Sequence, residues 1–134
     1  MIFMTLCRLM AGLCLLAAPQ WAEDWPQFRG KDRAGVWTEA GILDAFPPEG
    51  LKVRWRAPLR SGFSGPAVAG GKVFVLDFAP TTRPQGVERA LAFDEKTGKL
   101  LWSREWEVNY AGLATTYAVG PRATPTVDGD RVYV

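Results

Sequence analysis

Residues Leu91 to Trp102 constrain this chain more than any other stretch. Leu91-Ala92-Phe93 reads as the end of a strand, Asp94-Glu95-Lys96-Thr97-Gly98 as a tight turn, and Lys99-Leu100-Leu101-Trp102 as the returning strand. Each turn residue has a local reason. The Asp94 carboxylate accepts hydrogen bonds from turn amides, and Thr97 does so more weakly. Gly98 takes the left-handed conformation that ends the turn. Ala90 and Ala92 share one strand face and are small, which leaves room for a neighbouring sheet or for the Trp102 indole. A buried indole contributes a large apolar area and needs a partner for its N–H. Trp102 is therefore expected to tie one sheet to the next.

Other strands follow the same logic. Val53 to Ala57 is predicted as the first. Pro66 to Ala69 and Lys72 to Phe78 form a hairpin around Gly70-Gly71, a pair that tolerates the positive φ of tight turns. Val87 to Phe93 and Lys99 to Trp106 form a second hairpin. Ala123 to Val127 and Arg131 to Val134 form a third, around Asp128-Gly129-Asp130. After the N-terminal segment no stretch carries an apolar helical period. The 24 Gly and Pro residues cluster between short apolar runs, as in an all-β chain.

In Lys72 to Phe78, Val73 and Val75 point to one face and Phe74, Leu76 and Phe78 to the other. Both faces are apolar, so the strand is expected to be covered on both sides. A sandwich strand shows a wet polar face. Radially stacked sheets cover both, as in a β-propeller. The chain also repeats itself. Trp55 and Trp102 lie 47 residues apart, and Pro66 to Val75 matches Pro125 to Val134 without a gap at an offset of 59. The extra length falls in Glu107 to Pro121.

The 16 basic and 14 acidic residues are spread without a basic run, which argues against a nucleic-acid surface. There is no histidine, which excludes a histidine-based triad, histidine-ligated zinc and haem attachment within these residues. The N-terminus reads as a secretory signal over residues 1–22. Arg8 supplies the positive region, Leu9 to Ala18 the apolar core, and Ala17, Ala18 and Ala22 the small residues, with cleavage after Ala22 and Ala18 as the alternative. The run is too short for a stable membrane span, which takes roughly 20 residues. Cys7 and Cys14 both lie inside it, so the mature chain is expected to have no disulfide. Bulky Leu13 before Cys14 argues against a lipid anchor. Residues 23–52, from Glu23 to Lys52, read as an extended arm whose Trp25 and Phe28 pack on the domain.

Ala92, Asp94, Thr97, Gly98 and Trp102 fit the pattern Ala-x-Asp-x-x-Thr-Gly-x-x-x-Trp. With Ser64-Gly65-Pro66-Ala67-Val68 ahead of Gly70-Gly71, it resembles the repeat of pyrroloquinoline-quinone-type (PQQ-like, quinoprotein-like) β-propellers over Val53 to Val134. Asp24-Trp25-Pro26-Gln27-Phe28-Arg29-Gly30 is similar to the N-terminal arm of exported members. The resemblance implies an all-β fold of antiparallel four-stranded blades, here incomplete, with fewer than two blades. The chain is therefore expected to be an N-terminal fragment or truncated product whose missing blades come from the rest of the gene product. Assembly of several chains into one ring is the alternative.

Within the resemblance the tryptophan motif is a structural device shared by enzymes and non-enzymes. The quinone-dependent dehydrogenases add an adjacent cysteine pair, a calcium site and a catalytic aspartate. No adjacent cysteines occur here, and nothing matches the calcium ligands. Asp94 is read as a turn residue, Tyr110, Tyr117 and Arg122 as solvated loop residues, and Asp128 and Asp130 as a hairpin turn rather than a cation site. No catalytic, cofactor-binding or metal residue is assigned, and no cofactor is expected. The expected function is a non-catalytic exported module, periplasmic or secreted, that binds proteins or polymers of the cell envelope, similar to the propeller factor of outer-membrane protein assembly. The alternative is the N-terminal part of a quinone-dependent alcohol or sugar dehydrogenase, with PQQ and calcium.

Overall fold

The computed structural model describes residues 23–113 and 119–134. The expected signal peptide, with Cys7 and Cys14, and Tyr117 lie outside the described residues. Six strands follow the arm: β1 (Ala67–Ala69), β2 (Lys72–Pro80), β3 (Gln85–Asp94), β4 (Leu100–Asn109), β5 (Thr126–Asp128) and β6 (Arg131–Tyr133). The first four form one antiparallel sheet in the order β1-β2-β3-β4, and β5 and β6 form a second. The expected all-β architecture is thus present as one four-stranded blade and one further strand pair. One short 3-10 turn, Lys31–Arg33, interrupts the arm. Among the described residues no helix is long and apolar enough to cross a membrane.

The three predicted hairpins form, and the internal repeat is structural. In β1–β2 the opposed pairs are Ala67 with Phe74, Val68 with Val73 and Ala69 with Lys72. In β5–β6 they are Thr126 with Tyr133, Val127 with Val132 and Asp128 with Arg131, each 59 residues further on. Gly70 and Gly71 both have positive φ, 56° and 71°, as a tight two-residue turn requires. Pro66 stays outside the ladder because it has no N–H to give.

Both faces of β2 are covered, as its two apolar faces predict. On one face Ala67, Phe74, Ala92 and Trp102 stand opposite one another across all four strands. The row alternates small and large. Because Ala92 has only a methyl group, the rings of Phe74 and Trp102 meet above it with centroids 6.0 Å apart. Val127 and Val132 of the second sheet pack on the same cluster, so Trp102 shares one core with the next strand pair. On the other face Val75, Leu91 and Phe93 pack with Val73 and Ala57.

Val53 to Ala57, predicted as the first strand, pairs with no strand among the described residues. Side-chain docking holds it instead. The Trp55 indole stacks on Phe93 at 6.3 Å, and its Nε1–H donates to the Glu95 carbonyl at 2.7 Å. Ala57 joins the cluster beneath β2 and β3.

Asp77 lies in the middle of β2, only 1% exposed. Its strand register sets it opposite Arg89. Arg89 Nε donates to Oδ1 at 2.8 Å and Nη2 to Oδ2 at 2.6 Å, and the Arg60 amide donates to Oδ2 at 2.8 Å. Burial pushes the carboxyl upward, but the Arg89 hydrogen bonds, the Arg60 amide and the charges of both arginines outweigh it. The group therefore sits below the usual carboxylate range. A folded value below the unfolded one, about 3.9, gives stability that is present above that pH and lost as pH falls through the folded value. Asp77→Ala removes one partner of a desolvated pair and is expected to cost about 3–5 kcal/mol at neutral pH. In urea unfolding the gap between variant and parent should narrow below about pH 4; a gap independent of pH would contradict this account.

Candidate functional site

The arm is laced to both sheets by its backbone. Trp25 and Val68 exchange hydrogen bonds, N–H to carbonyl at 2.7 Å and back at 2.9 Å, which places Trp25 on the outer side of β1. The Val127 amide donates to the Pro26 carbonyl at 2.8 Å, so two successive residues of the arm hold one sheet each. The Asp24 carboxylate accepts from the Gly70 amide at the β1–β2 turn, 3.2 Å to the nearer oxygen. The chain then reverses, with the Gly30 amide donating to the Gln27 carbonyl. Gly30 has φ 70°, and a Cβ built on it would lie 2.7 Å from the Trp25 ring.

This reversal explains where the two aromatic residues of the arm go. The Trp25 ring lies against Gly30 of the arm itself, and its backbone pairs with Val68 of β1. Phe28 sits at the apex of the turn and faces outward, 66% exposed, contrary to the expectation that it packs. Arg29, Asp32 and Arg33 all have positive φ, 63°, 56° and 55°, a conformation that costs L-residues free energy. Hydrogen bonds from the Gly35 amide to the Arg29 carbonyl and from Arg33 Nε to Gln27 Oε1 hold this turn.

Between the arm and the sheet runs an open groove of about 990 Å³. Trp25, Phe28, Arg29 and Trp37 line it from the arm, and Phe63, Val68 and Glu95 from the sheet side, with Arg122 and Thr124 at the approach to β5. Trp37 and Phe63 are 56% and 55% exposed. Glu23 lies at one end. Its carboxylate accepts from the Thr38 hydroxyl at 2.8 Å and from the Thr38 amide at 3.2 Å. These bonds, and the charge of Lys31, lower its pKa. They also fix the backbone beside Trp37.

Of the residues singled out by sequence, Arg122 reaches this groove. Asp94 does not; it is a turn residue, as read. Its Oδ1 accepts from the Thr97 hydroxyl at 2.7 Å and the Thr97 amide at 2.8 Å, and these bonds lower its pKa. Thr97 donates to Asp94 and also accepts from the Lys99 amide. Tyr110 is held rather than solvated. Its hydroxyl donates to Glu88 and its ring meets Phe78 edge-on. Burial, then the Glu88 carboxylate, push its pKa up, so it stays a neutral donor. Asp128 opposes Arg131 in the ladder, and exposed Asp130 lies 3.9 Å from Arg131. Sequence reasoning missed Trp37, Phe63, Val68 and Glu95, which come together only through the docking of the arm.

Calcium takes about 6–8 oxygen ligands, and among the described residues no three Asp, Glu, His or Cys side chains cluster. The groove brings aromatic faces and mixed charges.

The family model described as outer membrane protein assembly factor BamB matches residues 20–134, which take in the arm, the blade and the strand pair. The chain belongs to this family of PQQ-like repeat proteins. No curated protein and no solved structure matched. In this PQQ-like repeat protein the arm motif has a physical meaning residue by residue: Asp24 for the Gly70 turn, Trp25 for β1, Pro26 for β5 and Gly30 for the Trp25 ring. Gly30→Ala is expected to push Trp25 off its seat, at a cost of about 1–3 kcal/mol from overpacking and from the left-handed backbone. Chemical unfolding with a shift in tryptophan emission measures it; an unchanged midpoint and spectrum would show that Trp25 is not seated on Gly30.

Proposed function

We propose that this PQQ-like repeat protein is an exported, non-catalytic binding module of the cell envelope, and that the groove between arm and sheet holds a protein or polymer partner. One observation carries the reading. Phe28, Trp37 and Phe63 stand exposed along a groove whose backbone is fixed by hydrogen bonds from both sheets. Rigid aromatic anchors around a preformed concavity are what a binding surface needs. Glu23, at one end of the groove, is engaged with Thr38. Export is supported by the charge and apolar pattern of residues 1–22, and an envelope role by the family's description as an outer-membrane assembly factor. A quinone cofactor has no part in this reading.

A photo-crosslinking residue placed at Phe28 or Trp37 in the whole protein tests it. Adducts with envelope proteins or polymers at these two positions, and none at exposed Asp130, are expected. Equal labelling at all three would reject the groove. Dye-linked alcohol oxidation that requires added quinone and calcium would reject the non-catalytic reading in favour of a dehydrogenase.

A further inference from the structure

The blade closes its sheet edges except at β4. Trp25 occupies the outer side of β1, and Ser61 pairs with Phe78 where β2 runs beyond β1. β4 is hydrogen bonded to β3 alone, and among the described residues no strand pairs with its other side. It is ten residues long. A register shift leaves Leu101 unpaired; beyond it, from Trp102 to Asn109, the edge extends roughly 26 Å at about 3.3 Å per residue, and every second residue aims its N–H and C=O at the open side. Natural edges are commonly blunted by proline, by charged side chains, lysine above all, by bulges or by a covering segment; β4 carries Arg104, Glu105 and Glu107 and a register shift at Leu101. Leu100–Asn109 contains neither proline nor lysine.

The side chains along this edge are patterned. Glu105 and Glu107 share one face. Opposite Glu105 stands Arg89, already bound to Asp77, and opposite Glu107 stands Val87. On the other face Arg104 lies between Trp102 and Trp106. A strand laid on this edge would set its own residues directly opposite these, on the same faces, where opposite charges attract.

We propose that the open edge of β4 receives an extended segment of a partner protein with basic side chains at alternate residues, opposite Glu105 and Glu107. Backbone hydrogen bonds supply the affinity, and the two glutamates choose the sequence. This surface is separate from the groove, so the proposal stands or falls independently of the groove's role.

The probe is a fluorescein-labelled eight-residue peptide alternating lysine and valine, titrated into the whole protein. Saturable binding is expected, weakened about tenfold or more when alternate amides of the peptide are N-methylated, since half the pairing is then blocked. The same peptide with glutamate in place of lysine should not bind. Replacing both acids, Glu105→Gln with Glu107→Gln, should weaken the lysine peptide about fivefold, two opposed pairs being lost, with the unfolding midpoint unchanged. Phe28→Ser should leave binding as it is. Equal affinity for the methylated peptide would reduce the effect to diffuse charge attraction and overturn the proposal. Absence of binding, or its loss in Phe28→Ser, would overturn it too.

Discussion

The arrangement turns on one contact, the Trp55 indole lying against Gly98. Gly98 does two things at once. Its φ of 71° closes the turn that Asp94 and Thr97 organise, and its missing side chain leaves the surface on which the indole rests; a Cβ there would come within 2.6 Å of the ring. The Nε1–H reaches the Glu95 carbonyl in the same turn, so the apolar face and the polar tip of the indole are satisfied together. This contact fastens a strandless segment, forty residues earlier in sequence, to the far end of β3. From that anchor the chain runs past Ala57, in the cluster under β2 and β3, to Arg60, whose amide meets Asp77.

Asp77 and the Ala67–Phe74–Ala92–Trp102 row then divide the labour between the two faces of the blade. The row is apolar and graded in size, and it is shared with Val127 and Val132, so it joins the two sheets. The opposite face carries an ion pair inside an otherwise apolar surface. A buried charge of this kind gives little net stability over an apolar pair, but it penalises any slip in register, because a slip would leave the carboxylate without Arg89. Packing and specificity thus sit on opposite faces of one sheet. The arm adds the third element. Its backbone bonds to β1 and β5 hold the groove open between itself and the sheet.

Much of the blade was legible because its rules are local. The glycine pair at 70–71, the Asp94–Thr97–Gly98 turn and the alternation in Lys72 to Phe78 each follow from residues a few positions apart. The repeat, too, was readable, and the register of β5–β6 copies that of β1–β2. What escaped was set by distance along the chain. Val53 to Ala57 has strand composition, yet it is held by an indole on a remote turn instead of by a ladder. Asp77 in an apolar run and Arg89 twelve residues later become partners only once the β2–β3 register is known. Phe28 and Trp25 look alike in sequence; the left-handed turn at Gly30 sends one inward and the other out. The groove has no periodic signature, since its walls come from an irregular arm, from the segment leading into β1, from Val68 of β1 and from Glu95 in the turn after β3.

The contact between Trp55 and Gly98 is tested most directly by a double-mutant cycle in urea unfolding, using Trp55→Ala, Gly98→Ala and the two together. If the indole rests on the glycine, the double variant loses less than the two single losses combined, with a coupling of about 0.5–3 kcal/mol, because each change has already removed what the other needs. Losses that add to within about 0.3–0.5 kcal/mol would mean that the two residues act separately and that the blade is fastened by something else.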